Sequence, residues 1–369
     1  MGKHLVLVGG GHAHMLTLAN LNKFIESGHK VTVIGPSPFH YYSGMGPGML
    51  GKIYAPEDIR FATRRMVAKQ GGTFILGSVV RVYPEDKTAE LESGESVPFD
   101  ILSFNTGSYV PKTNVTGNDS NIFSVKPIEK LLDAQKRILE LLSLKRITIG
   151  IIGGGPAAVE IAGNIWRLSR ESTNLPHIQI YARKNFMSAF PSKLRRKAIE
   201  SLENRGVEIM ENGYVQEIKS GQIILESGRT YQPDLIFLAI GVRPSPIFKA
   251  SGLPTGPDGG LLVNQYLQSL MYPEIFGGGD CIYFKEQPLD RVGVYAVRQN
   301  PVLFHNLMAS LEGAELKPFN PGGDYLLVFN MGDGTGILRK NWLLVDGKLA
   351  FIIKDYIDRK FMKKFQAIE

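Results

Sequence analysis

One cysteine, Cys281, stands in 369 residues. A lone cysteine excludes an internal disulfide, a paired-thiol redox motif and any metal site built from several cysteines. Any redox chemistry must therefore use a bound cofactor. Long apolar runs are missing as well: none approaches the roughly 18 residues that a membrane-spanning helix needs. The apolar run at the N-terminus is short and breaks into glycines instead of a cleavage site, so a cytoplasmic protein is expected. Blocks of like charge are absent too. The formal charge is +7, but the 42 Lys and Arg residues are spread along the chain and no nucleic-acid recognition motif occurs, so no nucleic-acid partner is expected. With 43% hydrophobic residues the chain can bury a large core, and its length points to two or three domains.

What is present is glycine in a particular order. The stretch "LVLVGGGHAH" at 5–14 is an apolar strand running into three glycines and then into a helix pattern that ends at Gly28. "KVTVIG" at 30–35 supplies the next buried strand and completes a βαβ unit. In such a unit Gly9 permits the tight turn and Gly11 lets the backbone approach a pyrophosphate at the helix N-terminus. His14 occupies the place usually given to a small residue. A second copy, "ITIGIIGGGPAAVEIAGNI" at 147–165, carries Gly153, Gly155 and Ala158 in complete GxGxxA spacing.

The likeness between the halves continues beyond the turns. "VVRVYPEDKTAELESGESVPFDILSFNTGSYVP" at 79–111 matches "YVQEIKSGQIILESGRTYQPDLIFLAIGVRPSP" at 214–246, with a shared "LESG" turn, an aspartate (Asp100, Asp234), an apolar strand and a glycine near proline. This internal repeat predicts an α/β fold with two Rossmann-like dinucleotide-binding domains, each with a parallel sheet and a β-meander insertion, and an α+β extension at the C-terminus. The expected limits are 1–112 with 247–320 for the first domain, 113–246 for the second and 321–369 for the extension.

These motifs resemble the FAD-dependent pyridine nucleotide-disulfide oxidoreductase superfamily over nearly the whole chain. "IFGGGDCIYF" at 275–284 is similar to the late apolar-Gly-Asp motif of that family. More narrowly, "GGGHAH", "YYSGMGPGMLGKIY", "VYAVRQNPVLFHNL" and "IIKDYIDRKFMKKF" resemble type II NADH dehydrogenases and their relatives fused to or associated with selenophosphate synthetase.

The resemblance implies FAD as cofactor and NADH or NADPH as substrate, with electrons passing from nicotinamide through flavin to a quinone or similar small acceptor. It places Gly9, Gly11, His12 and Ala13 at the FAD pyrophosphate, with Asn105, Thr106 and Gly107 near the flavin. Gly279, Asp280 and a helix beginning near Ala296, with Val297 and Gln299, complete the cradle. Pro36, Ser37 and Val80 are further FAD contacts. Gly153, Gly155, Pro156, Ala157, Arg183 and Gly241 are expected at the nicotinamide nucleotide. Glu160 matches a family glutamate of the nicotinamide and flavin region and is the candidate catalytic residue. No metal site is expected.

Two departures stand out. "VIGPSPFH" lacks the acid that binds the adenosine ribose, and after "IQIY" stand Ala182, Arg183 and Lys184 where an NADH-preferring site has a carboxylate. This leans towards NADPH or mixed use, against the reading of two merely solvated cations. In the C-terminal stretch, Ile353, Ile357, Phe361 and Phe365 form an apolar stripe beside Lys354, Arg359, Lys360, Lys363 and Lys364. That stripe fits a membrane surface at the inner face of the cell membrane, the protein body or a homodimer partner. Tyr41, Tyr42 and Tyr295 offer walls for an acceptor pocket or core packing. The alternatives are a flavin-binding sensor or scaffold without turnover and, disfavoured by the single cysteine, a sulfide:quinone-type enzyme.

Overall fold

The computed structural model describes residues 2–112, 114–116 and 120–369. Two five-stranded parallel sheets carry it. In the first, the spatial order is Ile275–Gly277, Ile101–Phe104, His4–Val8, Lys30–Gly35 and Thr73–Leu76. In the second it is Ile122–Ser124, Leu235–Leu238, Thr148–Ile152, His177–Tyr181 and Glu208–Met210. The layouts are the same, each with an edge strand drawn from elsewhere in the chain. The inner strands are buried on both faces, which is why "LVLV" and "IGII" read as continuous apolar runs.

The repeat is carried down to single hydrogen bonds. Asp100 Oδ2 accepts the amide of His4 at 2.6 Å, and Asp234 Oδ2 accepts the amide of Thr148 at 2.8 Å. Each aspartate thus ties the start of the last repeat strand to the start of the first. The two "LESG" turns close alike, Gly94 N donating to Leu91 O and Gly228 N to Leu225 O, both at 2.9 Å. Each belongs to an antiparallel meander, Val79–Tyr83 through Ser96–Pro98 and Val215–Lys219 through Thr230–Tyr231.

The helix expected after the first turn is broken. A 3-10 turn, His12–His14, leads into short helices at Met15–Leu18 and Leu21–Glu26. Between them Asn20 leaves helical geometry and its side chain donates to the Leu16 carbonyl at 2.9 Å. After the second turn the helix Pro156–Ser169 is continuous.

The C-terminal extension is a three-stranded antiparallel sheet, Leu327–Asn330, Gly336–Lys340 and Leu343–Gly347, followed by the helix Lys348–Gln366. The helix turns Ala350, Lys354, Asp358, Met362 and Phe365 inward, with Phe361 half-buried. This corrects the expected stripe: Ile357 faces solvent, and Lys354 is inside. The reason is polar. Lys354 Nζ lies 2.6 Å from Asp358 Oδ2 and from the carbonyl of Gly44, and the Tyr42 hydroxyl donates to Asp358 Oδ1 at 2.9 Å. A buried ammonium is tolerated when its partners are this complete. Among the described residues no helix is long and apolar enough to cross a membrane.

Candidate functional site

Both glycine turns open onto clefts. At the first turn Gly9 has a φ of 88°, and an added Cβ would overlap the carbonyl oxygen of Asn105. At the second, Gly153 has a φ of 142°, and a Cβ would overlap the carbonyl oxygen of Ala239, the residue matching Asn105 in the repeat. Both positions admit only glycine, for want of space and because positive φ disfavours other side chains.

His14 replaces the small third residue of the first motif and is fully buried. Its Nδ1 donates to the Gly9 carbonyl at 2.7 Å, so its Nε2 accepts from the Ser103 hydroxyl at 2.8 Å. It is a staple between turn and sheet. Burial lowers its pKa to about 4, against the Gly9 carbonyl, which raises it. It is neutral at pH 7.

The first cleft, about 790 Å³, is walled by Gly9, Gly11, His12, Pro36, Ser37, Asn105, Thr106, Gly107, Gly279, Asp280 and Ala296. All of these were expected FAD contacts, and the structure brings them together on one set of walls. Sequence reasoning missed His40, Thr63, Ser78, Val79, Ser108 and Lys126 on the same walls. Three buried polar atoms on this surface, His12 Nε2, His40 Nε2 and Asn105 Nδ2, have no hydrogen-bond partner. Burial lowers the pKa of His12 to about 3, aided by His40, and that of His40 to about 4, aided by Lys126. Two neutral imidazoles and an amide with free valences, beside a glycine turn, fit a large polar ligand such as FAD.

Asp280 sits at the floor. Its Oδ2 accepts from Ser108 Oγ and from Lys126 Nζ, both at 2.8 Å. Burial pushes its carboxyl up, but the charge and hydrogen bond of Lys126 outweigh this and hold it below the usual range. Among the described residues the carboxylates on these walls are Glu129 and Asp280; Gly35, Pro36 and Ser37 also line the cleft, and the Ser37 hydroxyl oxygen accepts the Phe39 amide at 3.1 Å.

The second cleft, about 1360 Å³, is walled among others by Gly153, Gly155, Pro156, Ala157, Arg183 and Gly241, the six residues expected at the nicotinamide nucleotide. The Arg183 guanidinium lies 4.5 Å from the centre of the Tyr214 ring. Ala182 is buried in the acid's place. Just after the neighbouring strand Glu208–Met210, the Glu211 carboxylate is occupied by Arg195 and by the Phe186 amide. Tyr295 also lines this cleft, whereas Tyr41 lines the first and Tyr42 points to Asp358. Lys126 and Arg291 lie on the walls of both clefts.

Five expected residues are on neither wall. Ala13 is packed inside, and Val80 is exposed while its neighbour Val79 takes the wall. The helix Gly293–Glu312 starts three residues before Ala296, so its first turn reaches the clefts and Val297 is turned outward. Gln299 acts one step removed, its Oε1 accepting the Gly279 amide at 2.6 Å. Glu160 faces the C-terminal extension, where its Oε1 accepts the Asn330 amide at 2.8 Å. Burial pushes its carboxyl up to about 7, against the charge of Lys354.

Cys281 is buried, and its thiol donates to the Gly278 carbonyl at 3.2 Å. Burial pushes it up to about 11, away from thiolate chemistry. Among the described residues no group of His, Cys, Asp and Glu could hold a metal.

The chain is similar to the type II NADH:quinone oxidoreductase of Staphylococcus saprophyticus, 25% identical across 99% of this chain and 96% of the relative. Among solved structures it is similar to NDH2 from Plasmodium falciparum in complex with NADH, with a TM-score of 0.83, 14% identity and coverage of 100% and 98%. It is also similar to the sulfide:quinone oxidoreductase of Aquifex aeolicus, with a TM-score of 0.78, 18% identity and coverage of 100% and 92%. Residues 3–306 match the pyridine nucleotide-disulphide oxidoreductase family, and with both glycine turns opening onto dinucleotide-sized clefts, the chain belongs to that family.

Proposed function

We propose that the protein is an FAD-dependent NAD(P)H:quinone oxidoreductase, with FAD in the first cleft and the nicotinamide nucleotide in the second. The observation that carries this reading is the junction: two nucleotide-sized clefts share Lys126 and Arg291 on their walls, so ligands in the two can meet. Bound FAD supplies two-electron uptake from the nicotinamide and delivery to the acceptor. The chain's part is to bind, orient and exclude water. Gly9 and Gly11 bring the backbone to one pyrophosphate, and Gly153 and Gly155 bring it to the other. The N-terminus of the helix Gly293–Glu312, with Gly293 and Ala296 on the flavin wall, favours negative charge there. Domain limits at 1–112 with 247–320, 113–246 and 321–369 suit this division, although position 113 itself lies outside the described residues.

Glu160, its carboxyl near neutrality beside Lys354, is our candidate for holding a proton while the acceptor is reduced. Arg183, over the Tyr214 ring and in no ion pair among the described residues, is our candidate for accepting the 2′-phosphate of NADPH. The acceptor is lipid-soluble on this reading, and the outer face of the C-terminal extension suits it. Trp342 is 91% exposed, and Leu349, Ile352 and Tyr356 form a helical row 60 to 65% exposed beside Lys348, Arg359 and Lys360. Such a surface favours peripheral attachment to an anionic membrane at its inner face.

The test is steady-state oxidation of NADH and NADPH by the yellow, FAD-loaded protein with a water-soluble quinone. Turnover with the quinone supports the reading. A flavin-loaded protein that oxidises neither nucleotide would instead favour a sensor or scaffold.

A further inference from the structure

The junction of the clefts contains a charge that the proposed reaction needs. On the reading above, a hydride leaves a dihydronicotinamide with two electrons and one proton. The nicotinamide is oxidised, and the receiving ring is reduced and left with an extra negative charge unless a second proton arrives. That charge develops where the two clefts meet. Of the charged groups on the walls, Asp280 and Glu129 stand on the flavin side alone, Arg183, Asp290, Asp324 and Arg339 on the nucleotide side alone, and two cations, Lys126 and Arg291, on both. His12 and His40 on the flavin side are neutral.

The two cations are not equivalent. Arg291 is paired with the Asp258 carboxylate, and its Nε donates to the Asp280 carbonyl at 3.1 Å, so its charge is largely answered away from the junction. Lys126 Nζ instead bridges Ser108 Oγ at 2.9 Å and Asp280 Oδ2 at 2.8 Å, with a quarter of its side chain exposed. Without Lys126 the floor would retain the Asp280 carboxylate with Ser108 as its remaining side-chain donor among the described residues. Negative charge would then face negative charge.

We propose that Lys126 is the residue whose ammonium stabilises the reduced, negatively charged flavin at the meeting point of the two clefts, with Asp280 and Ser108 as the groups that hold it in position. A plain ion pair between the segment at 125–129 and the late glycine motif would only hold two parts of the chain together. Preorganised charge aimed at a developing anion does more, because it needs no reorganisation during the reaction.

The test uses Lys126→Met and Lys126→Arg in the full chain, reading FAD affinity by flavin fluorescence and flavin reduction potential against a reference dye. The proposal rests on the FAD reading, and wild-type protein that takes up no FAD would sink that reading first. Lys126→Met should bind FAD while its flavin becomes at least about tenfold harder to reduce at equilibrium, about 30 mV for two electrons. Lys126→Arg, which keeps the charge, should stay within about twofold of wild type on the same scale. An unchanged potential in Lys126→Met overturns the proposal. So does a Lys126→Met protein that folds but loses FAD while Lys126→Arg keeps it, because Lys126 would then anchor the cofactor instead of tuning it.

Discussion

The first and second glycine turns are built to one plan and finished differently. Both begin with a glycine pressed against a backbone carbonyl, and both sheets are tied by an equivalent aspartate. The second turn then runs into a continuous helix with small Ala158 against the sheet. The first turn puts a buried histidine in that place and breaks its helix at Asn20. The surroundings diverge in the same way. Neutral histidines, His12, His14 and His40, crowd the first turn, whereas the helix of the second carries Glu160, with its raised pKa, and its cleft carries the exposed Arg183. On the function we propose, the plan common to both turns serves a dinucleotide, FAD at the first and the nicotinamide nucleotide at the second.

The sharpest break in the comparison comes from the glycines. Gly9→Val should abolish FAD uptake, so that the protein purifies colourless. Gly153→Val should leave the flavin spectrum intact and abolish its reduction by NADH and NADPH. If both variants lose flavin, the two turns do not divide the work.

The histidine staple is the next largest effect. His14→Ala removes two hydrogen bonds, strands the Ser103 hydroxyl and opens a cavity, and should cost about 2–4 kcal/mol in urea unfolding. A midpoint close to wild type would mean that the staple contributes nothing to stability.

Acid should separate the two regions further. The folded pKa values of His12, His14 and His40, about 3, 4 and 4, lie below the ordinary 6.5. Unfolding therefore takes up protons, and the stability these groups give above pH 6.5 drains away as pH falls towards 4. Glu160 works in the opposite sense. Its folded carboxyl is raised from 4.5 to about 7, so its contribution is present below 4.5 and lost as pH rises through 7. Three groups outweigh one, and urea midpoints should fall between pH 7 and pH 5. His14→Ala should flatten that fall and Glu160→Gln should steepen it.

The smallest effect is nucleotide choice. Arg183→Ala should lower kcat/KM for NADPH about tenfold and leave that for NADH within about twofold, as expected for loss of a phosphate-binding cation. Equal losses for both nucleotides would make Arg183 a general wall of the cleft.

Much of this was legible in the sequence because it depends on local pattern. The sheets follow from apolar runs beside glycines, the turn glycines and Arg183 follow from motif spacing, and Asn105 and Asp280 come from the resemblance to a known family. His14 was visible as an anomaly, but its partner Ser103 lies on a different strand, and no spacing rule connects them. Lys126 and His40 were missed for the same reason: their place on the cleft walls is made by packing between distant segments. The C-terminal stripe was misread because helical periodicity ranks Lys354 as a surface residue. Only the tertiary structure brings Asp358, Tyr42 and the Gly44 carbonyl to its amine.

Whether the first turn holds the flavin and the second its electron donor is decided by anaerobic titration of FAD-loaded protein with NADPH and NADH. The flavin absorbance should bleach with one equivalent of either donor in wild type, more readily with NADPH, and with neither in Gly153→Val. Bleaching in Gly153→Val as complete and as fast as in wild type would mean that the second turn does not hold the electron donor.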